Sequence, residues 1–541
     1  MAARDEHREY PVEGAEDEIF AYRIHVSTKY LEITRQKLEL TRLPHEPRSK
    51  DWWEPKPQVE SLIDFWQEHY SWNQHEEDLN ETVPQFRTGF TTPPPSTQVR
   101  IHFVHARSPH PNAVPLLLIP PFPLTNLSLI HLIPPITNPL DPVTQQPFHL
   151  VMPALPGLGF SDPLPNTAPP ISTTADMLDG LMKRLGYPRY LATNAGSASM
   201  SPSLIDWRLI KYISQNYLDS CLGAHFILPP FMNPTFGASA AEWTKWTLAK
   251  LFSSAILGYS KVDISTHKKA NKSKSEEKRA ASPLGQLSYG DYEPNTPAYA
   301  LCDSPTGLLL YVLKILRTLG PKRELKPDDI ITLTQLIWLP GPEAALRFWS
   351  RCASQIEPAE GTKPKRKSKV AVTVFLGEEE QAEQKKALPR PAKSPYSCPG
   401  WAKAEFTVVH TNRVAGTPGF ISWDRPDVII DGVRGLAKAV LQVDNRMKRL
   451  SQSGAIPSPQ VVVEGGSPAP AALSGTTARD SAGTTARLTP EVPGPAPSTP
   501  ISKKAAPQDG ARAITPQTPQ GSPRTPRSPR ETESREGESS R

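Results

Sequence analysis

A short apolar run near the middle of the chain is followed by several hydroxyl side chains, a pattern that could carry nucleophilic chemistry. The run Tyr190–Ala192 predicts a buried strand, and the sequence NAGSAS follows it at residues 194–199. A serine on the sharp turn after a strand can attack a carbon centre when a histidine accepts its proton. Ser197 is the hydroxyl nearest the apex of this turn, but Ala195 and Ser199 replace the glycines of a Gly-x-Ser-x-Gly elbow.

The histidines that could activate this serine are few. Downstream of the turn the sequence holds His225, His267 and His410. We expect a structural role for His225 after the next strand, a position in a surface insertion for His267, and packing within the last strand for His410. Without a placed base, Ser197 keeps its proton near neutral pH. Glu378 could act as a general base on water, so a hydrolase that uses Ser197, Glu378 and His410 is one hypothesis.

Composition limits the function classes. The chain has 541 residues, 38% of them hydrophobic, and 11 Trp, which is enough apolar material for a sizeable core. The net charge of +6 is spread over 61 basic and 55 acidic residues, so nucleic-acid binding is not expected. Four widely spaced cysteines favour neither a zinc site nor a disulfide framework. No cofactor or metal is predicted.

The sequence predicts no targeting or membrane segment. Residues 1–17 are charged and have no apolar core, which argues against a secretory signal and predicts a disordered N-terminus. No run of 18 apolar residues occurs, so no transmembrane helix is expected. These features and the reduced cysteines favour a cytoplasmic location.

Composition changes sharply at residue 451. The remaining residues, 451–541, are rich in Pro, Ser, Thr, Ala and Gly, and such a segment cannot bury enough apolar surface to fold. We therefore predict a disordered tail that could bind a protein partner. Towards the end of the tail, five hydroxyl residues that each precede a proline are candidates for proline-directed phosphorylation, although they could also be chance pairs: Thr515, Thr518, Ser522, Thr525 and Ser528.

Two internal basic stretches are predicted to be surface insertions. They are His267–Arg279, with sequence HKKANKSKSEEKR, and Lys363–Lys369, with sequence KPKRKSK. The second stretch could be a nuclear import signal, which leaves a nuclear location open. A solvated loop is the preferred interpretation of both.

Hydrophobic periodicity predicts a mixed helix and strand order over the rest of the chain. Amphipathic helices are predicted at Tyr30–Arg42 and Gln58–Tyr70. Strands are predicted at Val99–His105, Leu116–Ile119, His149–Met152, Tyr190–Ala192, Val370–Phe375 and Phe406–His410, and further helices at Thr173–Leu185 and Val428–Val440. Residues 225–350 are mostly helical in pattern. A parallel sheet that is interrupted by a helical insertion and then resumed is the layout of an α/β-hydrolase with a lid.

Several segments resemble the microsomal-type epoxide hydrolases. They are residues 20–44, 59–90 and 99–108, together with Phe148–Pro163, Met182–Thr193 and Ala300–Leu309. The resemblance implies an α/β-hydrolase fold with a helical cap and an N-terminal meander. It divides the chain into a disordered N-terminus (1–17), an N-terminal region (18–110), a first core half (111–225), a cap (226–355), a second core half (356–450) and the tail (451–541).

Family chemistry requires an Asp nucleophile after the strand, and a His that is oriented by an acid and activates water. In this chain Gly196 stands at the Asp position, and Gly419 stands at the His position. The orienting acid is retained as Glu378, or as Glu379 in a shifted register. Both groups that would make or break the ester are therefore missing.

The positions that would hold the epoxide oxygen depart as well. Of the two cap tyrosines that the family uses, one is replaced by Trp349 and the other aligns near Tyr289. The resemblance also implies a His-Gly-Trp-Pro loop whose backbone N–H groups contribute to the oxyanion hole. In this chain the sequence PPFP stands in its place, at residues 120–123. Proline lacks an N–H, so this loop must be reshaped.

These replacements predict a family member that is impaired or inactive towards epoxides and acts as a binding or regulatory protein. An apolar small molecule is the expected ligand, in a cleft that keeps the family's walls. The resemblance is also compatible with a homodimer. The alternative is an active hydrolase of the epoxide hydrolase or esterase class that uses Ser197, Glu378 and His410.

Overall fold

The computed structural model describes residues 18–46, 53–92, 96–237, 239–252, 257–268, 293–354, 366–377 and 396–448, and the strand Val461–Val462. Several predictions lie outside these residues: the disordered N-terminus, Tyr289, Glu378, Glu379 and the five tail phosphorylation sites.

The N-terminal region combines strands and helices. It contains β1 (Ile19–Ala21), α1 (Thr28–Glu39), α2 (Lys56–Glu68), α3 (Trp72–Thr82), β2 (Gln85–Thr91) and β3 (Gln98–Ala106). The predicted stripe of α2 is confirmed, since Val59, Leu62, Ile63 and Trp66 are all buried. The sequence reading missed α3, β1 and β2. In α3 one side of the helix buries only Trp72 and Leu79, which is too few apolar residues for a clear period.

The first half of the core follows. It contains β4 (Val114–Ile119), a 3₁₀ helix (Asn126–Leu132), α4 (Ile133–Thr137), β5 (Phe148–Pro153), α5 (Pro170–Arg184), β6 (Tyr190–Asn194), a 3₁₀ turn (Pro202–Leu204), α6 (Ile205–Asn216) and β7 (Cys221–Ile227). Every residue of β4, β5, β6 and β7 is buried. Such continuous apolar runs are typical of strands covered on both faces.

The cap is helical, as predicted. It contains α7 (Ala240–Phe252), a helix at 261–268, α8 (Asn295–Asp303), α9 (Pro305–Leu319), α10 (Pro327–Trp338) and α11 (Glu343–Ser354). No single described helix has the length and hydropathy to cross a bilayer. Only α8 and α9 taken together reach that length and composition, and they are bent by 115° relative to each other.

The second half of the core completes the sheet. It contains β8 (Lys369–Phe375), a 3₁₀ helix (Pro399–Ala404), β9 (Thr407–Val414), α12 (Ile421–Asp424), α13 (Pro426–Val443) and, further on, β10 (Val461–Val462). The strand order is β10-β1-β2-β3-β5-β4-β6-β7-β8-β9. Strands β5, β4, β6, β7, β8 and β9 run parallel, and β2 and β3 are antiparallel to their neighbours.

Two predictions about the fold need correction. The alternation of Val99, Ile101 and Phe103 predicts a half-buried strand, but from Ile101 onward both faces of β3 are buried, because the N-terminal region covers the outer side. The predicted disordered tail contains β10, which pairs in parallel with β1 through Ile19 and Val461. The compact unit accordingly extends to Pro470, and residues from Ala471 onward form a separate unit.

Candidate active site

The turn after β6 differs from a nucleophile elbow in its backbone. An elbow leads from a strand through one sharp, strained turn into a helix. Here residues 195–204 separate β6 from α6. Neither Gly196 nor Ser197 has a positive φ. The side-chain amide of Asn194 instead donates to the carbonyl of Gly196 and shapes the turn from within.

The space beside Gly196 is filled. A Cβ added at Gly196 would lie 2.7 Å from Cβ of Pro121. Real Cβ atoms do not approach other atoms so closely, and a proline ring is anchored to its backbone, so the loop would have to move. Gly196, the expected position of the family's Asp, therefore has no room for a side chain unless the loop moves.

The neighbouring loop holds a single backbone N–H, and that group is already bonded. Residues 120–123 read Pro-Pro-Phe-Pro, so only Phe122 carries an N–H. It donates to Oδ1 of Asp206 at 3.1 Å. The group that would bind an oxyanion in this loop is thus occupied by a carboxylate of the same chain.

Asp206 is the functional candidate that the sequence reading missed. It lies in the first turn of α6, where the N-terminal end of a helix favours a negative charge, and its own N–H donates to Oγ of Ser201 at 3.1 Å. Burial raises the pKa of Asp206 to about 7, with hydrogen bonds from Phe122 and Ser201 opposing that rise. Buried carboxyls with raised pKa values are common at active sites, but nothing in the sequence indicated burial here.

The cavity at this turn is very small. It is lined by Pro121, Phe122, Ser197, Asp206 and Ile315, among others, and has a volume of about 20 Å³. A cavity of roughly 10–15 Å³ on this measure holds one water, whereas ligand pockets measure roughly 300–1,000 Å³. The expected cleft of small-molecule size is therefore wrong for the described residues around the turn. Proline and phenylalanine side chains occupy much of the space around this turn.

Ser197 is not activated by its described surroundings. It is buried, and its Oγ lies 3.3 Å from Oγ of Ser199. Strands β7 and β8 lie between β6 and β9, the strand that carries His410, so the strand spacing alone separates them by roughly 14 Å. The structure does not bring Ser197 and His410 together.

The position of the family's base is closed as well. Gly419 has a φ of +64°, and an added Cβ would lie 2.5 Å from Oδ2 of Asp424. That oxygen accepts the N–H of Phe420 at 2.8 Å and the N–H of Lys322 at 2.9 Å. Asp424 therefore ties the loop between α9 and α10 to the loop that would carry the base. We call this set of contacts the Asp424 latch.

Trp349, at one cap tyrosine position, does reach the region of the turn. Its ring is 6.4 Å from that of Phe122, in an edge-to-face arrangement. Its indole N–H donates to Oγ of Ser203 at 2.8 Å, and the residue is buried. An indole N–H that is bonded to the protein is not free to hold a substrate oxygen.

The histidines of the sheet are structural in this structure. His225 lies inside β7, not after it, because the apolar run continues to Ile227. Its ring bonds Thr193 at 3.0 Å and Thr373 at 2.8 Å, and burial lowers its pKa to about 3. His410 lies in β9 as predicted, with its ring against Gly435 of α13.

His267 was expected in a surface insertion, and this is wrong. It is buried at the end of the helix at 261–268, with its ring 5.3 Å from that of Trp246 and 5.4 Å from that of Trp401. The first residue of the basic stretch, His267, is therefore held in place by packing against two tryptophan rings. Lys369, the last residue of the other basic stretch, begins β8 and pairs with Asp444 at 2.9 Å.

Comparisons with known proteins agree with this architecture. A family model described as "Epoxide hydrolase N terminus" matches residues 19–129. A protein of Stigmatella aurantiaca (strain DW4/3-1), provisionally named an epoxide hydrolase, is 26% identical over 373 residues, which cover 66% of this chain and 74% of the relative. Epoxide hydrolase 1 of Sus scrofa is 24% identical over 363 residues, which cover 63% of this chain and 74% of the relative. The solved structure of Aspergillus niger epoxide hydrolase matches with a TM-score of 0.57 at 18% identity, covering 79% of this chain and 97% of that one.

The parallel sheet with helices on its faces and the helical cap between β7 and β8 define an α/β-hydrolase fold. The N-terminal match and the similar epoxide hydrolases narrow the class further. Residues 19–129 match the N-terminal region of epoxide hydrolases, and the chain is similar to two epoxide hydrolases at 26% and 24% identity.

Proposed function

We propose that this family member does not hydrolyse epoxides and acts instead through binding. The observation that carries the proposal is the contact geometry at Gly196, where Pro121 fills the space that a nucleophile would need. Gly419 and Asp424 repeat the same situation at the base position. The carboxylate is thus absent from its expected position and the imidazole from the other, and a side chain at Gly196 would require the proline-rich loop to move.

Without the nucleophile the ester intermediate cannot form, and without the base no group activates the water that would hydrolyse it. Single losses of this kind usually lower a rate by several orders of magnitude. Electrostatic stabilisation of the epoxide oxygen would be the remaining source of rate enhancement. The N–H of Phe122 and the indole N–H of Trp349 both have protein acceptors, so neither of these two groups is available to stabilise an epoxide oxygen.

Turnover of an aryl epoxide by the purified chain tests the proposal. Styrene oxide is incubated with the full chain in water enriched in oxygen-18, and diol formation is followed by mass spectrometry. We expect diol at the rate seen in buffer. Diol formation well above that rate, abolished by heating the protein, would refute the proposal.

The alternative is an altered hydrolase that uses Ser197, Glu378 and His410. Ser197 does lie on the small cavity together with Asp206, which is the observation that favours some residual chemistry at this turn. A fluorophosphonate probe tests it: labelling that disappears in Ser197→Ala but persists in Ser199→Ala would support the alternative. No labelling of the wild-type chain would count against it.

The tail is the proposed site of protein binding, with phosphorylation at its Ser-Pro and Thr-Pro sites controlling the partner. The separate unit begins at Ala471, so a truncation after Pro470 removes residues 471–541 of the tail, with all five candidate phosphorylation sites, and keeps β10. Proteins captured by the full chain but not by the truncated chain would support this role. Identical partners for both chains would dismiss it.

A further inference from the structure

Helix α7 of the cap places its apolar side chains on the outside. The residues that face inward are Glu242, Trp246 and Ala249. The outward positions form two adjacent rows, at i, i+4 and i+8, that are exposed and mostly apolar: Trp243, Thr247 and Leu251, then Thr244, Leu248 and Phe252. A helix of a globular protein normally has the opposite arrangement.

The residues that flank α7 enlarge this surface. Phe236 is 66% exposed and packs edge-to-face on Trp243, with 5.5 Å between ring centroids. Met232 and Leu257 are exposed on either side of the helix in sequence. We call the exposed side chains of these three residues and of α7 the α7 patch. Contiguous apolar patches of this kind mark interaction surfaces.

The exposed charged residues of the described segment that carries the patch are all basic. The segment 231–268 contains two acids, and both are buried and paired: Glu242 with Lys245 at 2.7 Å, and Asp263 with Arg413 at 2.8 Å. The exposed charged residues of the described segment are Lys250, Lys261 and Lys268.

We propose that the α7 patch docks on an anionic lipid surface. Exposed Trp, Phe and Leu on one helix face insert at the boundary between headgroups and acyl chains, and nearby lysines are attracted to anionic lipids. An acidic protein would use the lysines, but it would leave a ridge of two large aromatic rings and two leucines without a matching groove. Membrane docking of this kind is independent of whether the chain hydrolyses epoxides.

Vesicle sedimentation tests the proposal on the full chain. Phosphatidylcholine vesicles with and without phosphatidylserine are mixed with the wild type, with L251E/F252E and with the control L140E/V143E. Leu251 and Phe252 are 74% and 64% exposed, and Leu140 and Val143 are also exposed, so neither double variant should lose its fold. We expect binding to phosphatidylserine vesicles that weakens by about tenfold or more in L251E/F252E and stays unchanged in the control.

Equal binding by L251E/F252E and the wild type, or no binding by the wild type, would overturn the proposal. Sedimentation velocity identifies a second copy of the chain as the occupant. A wild-type dimer that L251E/F252E converts to a monomer, without a loss of vesicle binding, would also overturn it.

Discussion

The carboxylate of Asp206 accepts the backbone N–H of Phe122 at 3.1 Å, and both residues are buried. A buried N–H without a hydrogen-bond partner costs free energy. The three prolines beside Phe122 have no N–H, so the N–H of Phe122 is the one backbone donor of this loop that needs an acceptor. Asp206 therefore acts as an internal hydrogen-bond acceptor that holds the proline-rich loop over Gly196. This contact links the closed loop to the first turn of α6.

Stability should fall with pH because of Asp206. Its pKa is raised to about 7 in the folded chain, against about 3.9 for an unfolded Asp. The folded state binds this proton more tightly, so the stabilisation is fullest below about pH 4 and is lost as the pH rises to about 7. The variant Asp206→Asn keeps an acceptor oxygen for Phe122 and removes the titration. Its stability relative to the wild type should increase by up to about 4 kcal/mol between about pH 4 and pH 8, measured by urea unfolding.

Asp64→Asn is the matched control for this experiment. Asp64 lies on the exposed side of α2, so its replacement should leave the pH dependence of the wild type unchanged. A parallel pH dependence of the wild type and Asp206→Asn would contradict the assigned role of Asp206.

Gly196→Ala should destabilise the chain although it adds only a methyl group. The new Cβ would meet Pro121, and overpacking of this kind costs about 1–3 kcal/mol. Gly237→Ala is the control, because an added Cβ there meets no atom within 4 Å. Thermal unfolding of both variants measures the difference. A Gly196→Ala variant as stable as Gly237→Ala would show that the loop yields easily, and the same loop could then admit a nucleophile.

Much of the fold could be predicted from the sequence because its central strands are continuous apolar runs. Predicted and observed strands agree within two residues at β4, β5 and β8. The N-terminal strands were harder. Residues Gln85–Thr91 alternate only weakly between buried and half-buried, and the three residues of β1 are too few to show a period. Strand β10 depends on a long-range pairing that no local pattern indicates.

The sequence could propose which positions correspond to the family's catalytic residues, but it could not predict which side chains surround them. Comparison with the family motif located Gly196 and Gly419, because the flanking segments stay in register. The roles of Asp206 and Asp424 come from contacts across 84 and 102 residues of sequence. Nothing local distinguishes these two aspartates from the other acids of the chain.

Gly432 should be intolerant of a side chain because it lies against His225. An added Cβ would overlap the imidazole ring, which Thr193 and Thr373 hold in place from both nitrogens. In a helix, alanine is normally more stable than glycine by about 1 kcal/mol. A net loss of stability in Gly432→Ala would therefore have to come from the clash with the His225 ring. The change in unfolding free energy should be about 1–3 kcal/mol unfavourable.

A double-mutant cycle with His225→Ala isolates this contact. Removing the ring makes room for the methyl group, so Gly432→Ala should be much less harmful in the His225→Ala background. Equal effects in both backgrounds would mean that the clash lies elsewhere.

The Asp424 latch should hold the cap loop against the core. Asp424→Ala leaves the N–H groups of Phe420 and Lys322 without their acceptor, and unsatisfied groups of this kind cost about 1–3 kcal/mol when they are buried. We expect faster amide hydrogen exchange in the loop that follows Gly320, along with a lower melting temperature. The neighbouring variant Asp427→Ala breaks an exposed ion pair with Arg425 and should change stability by less than about 1 kcal/mol. Unchanged exchange at Lys322 in Asp424→Ala would show that other contacts close the cap, and Gly419 would then have space for an imidazole once Asp424 is removed.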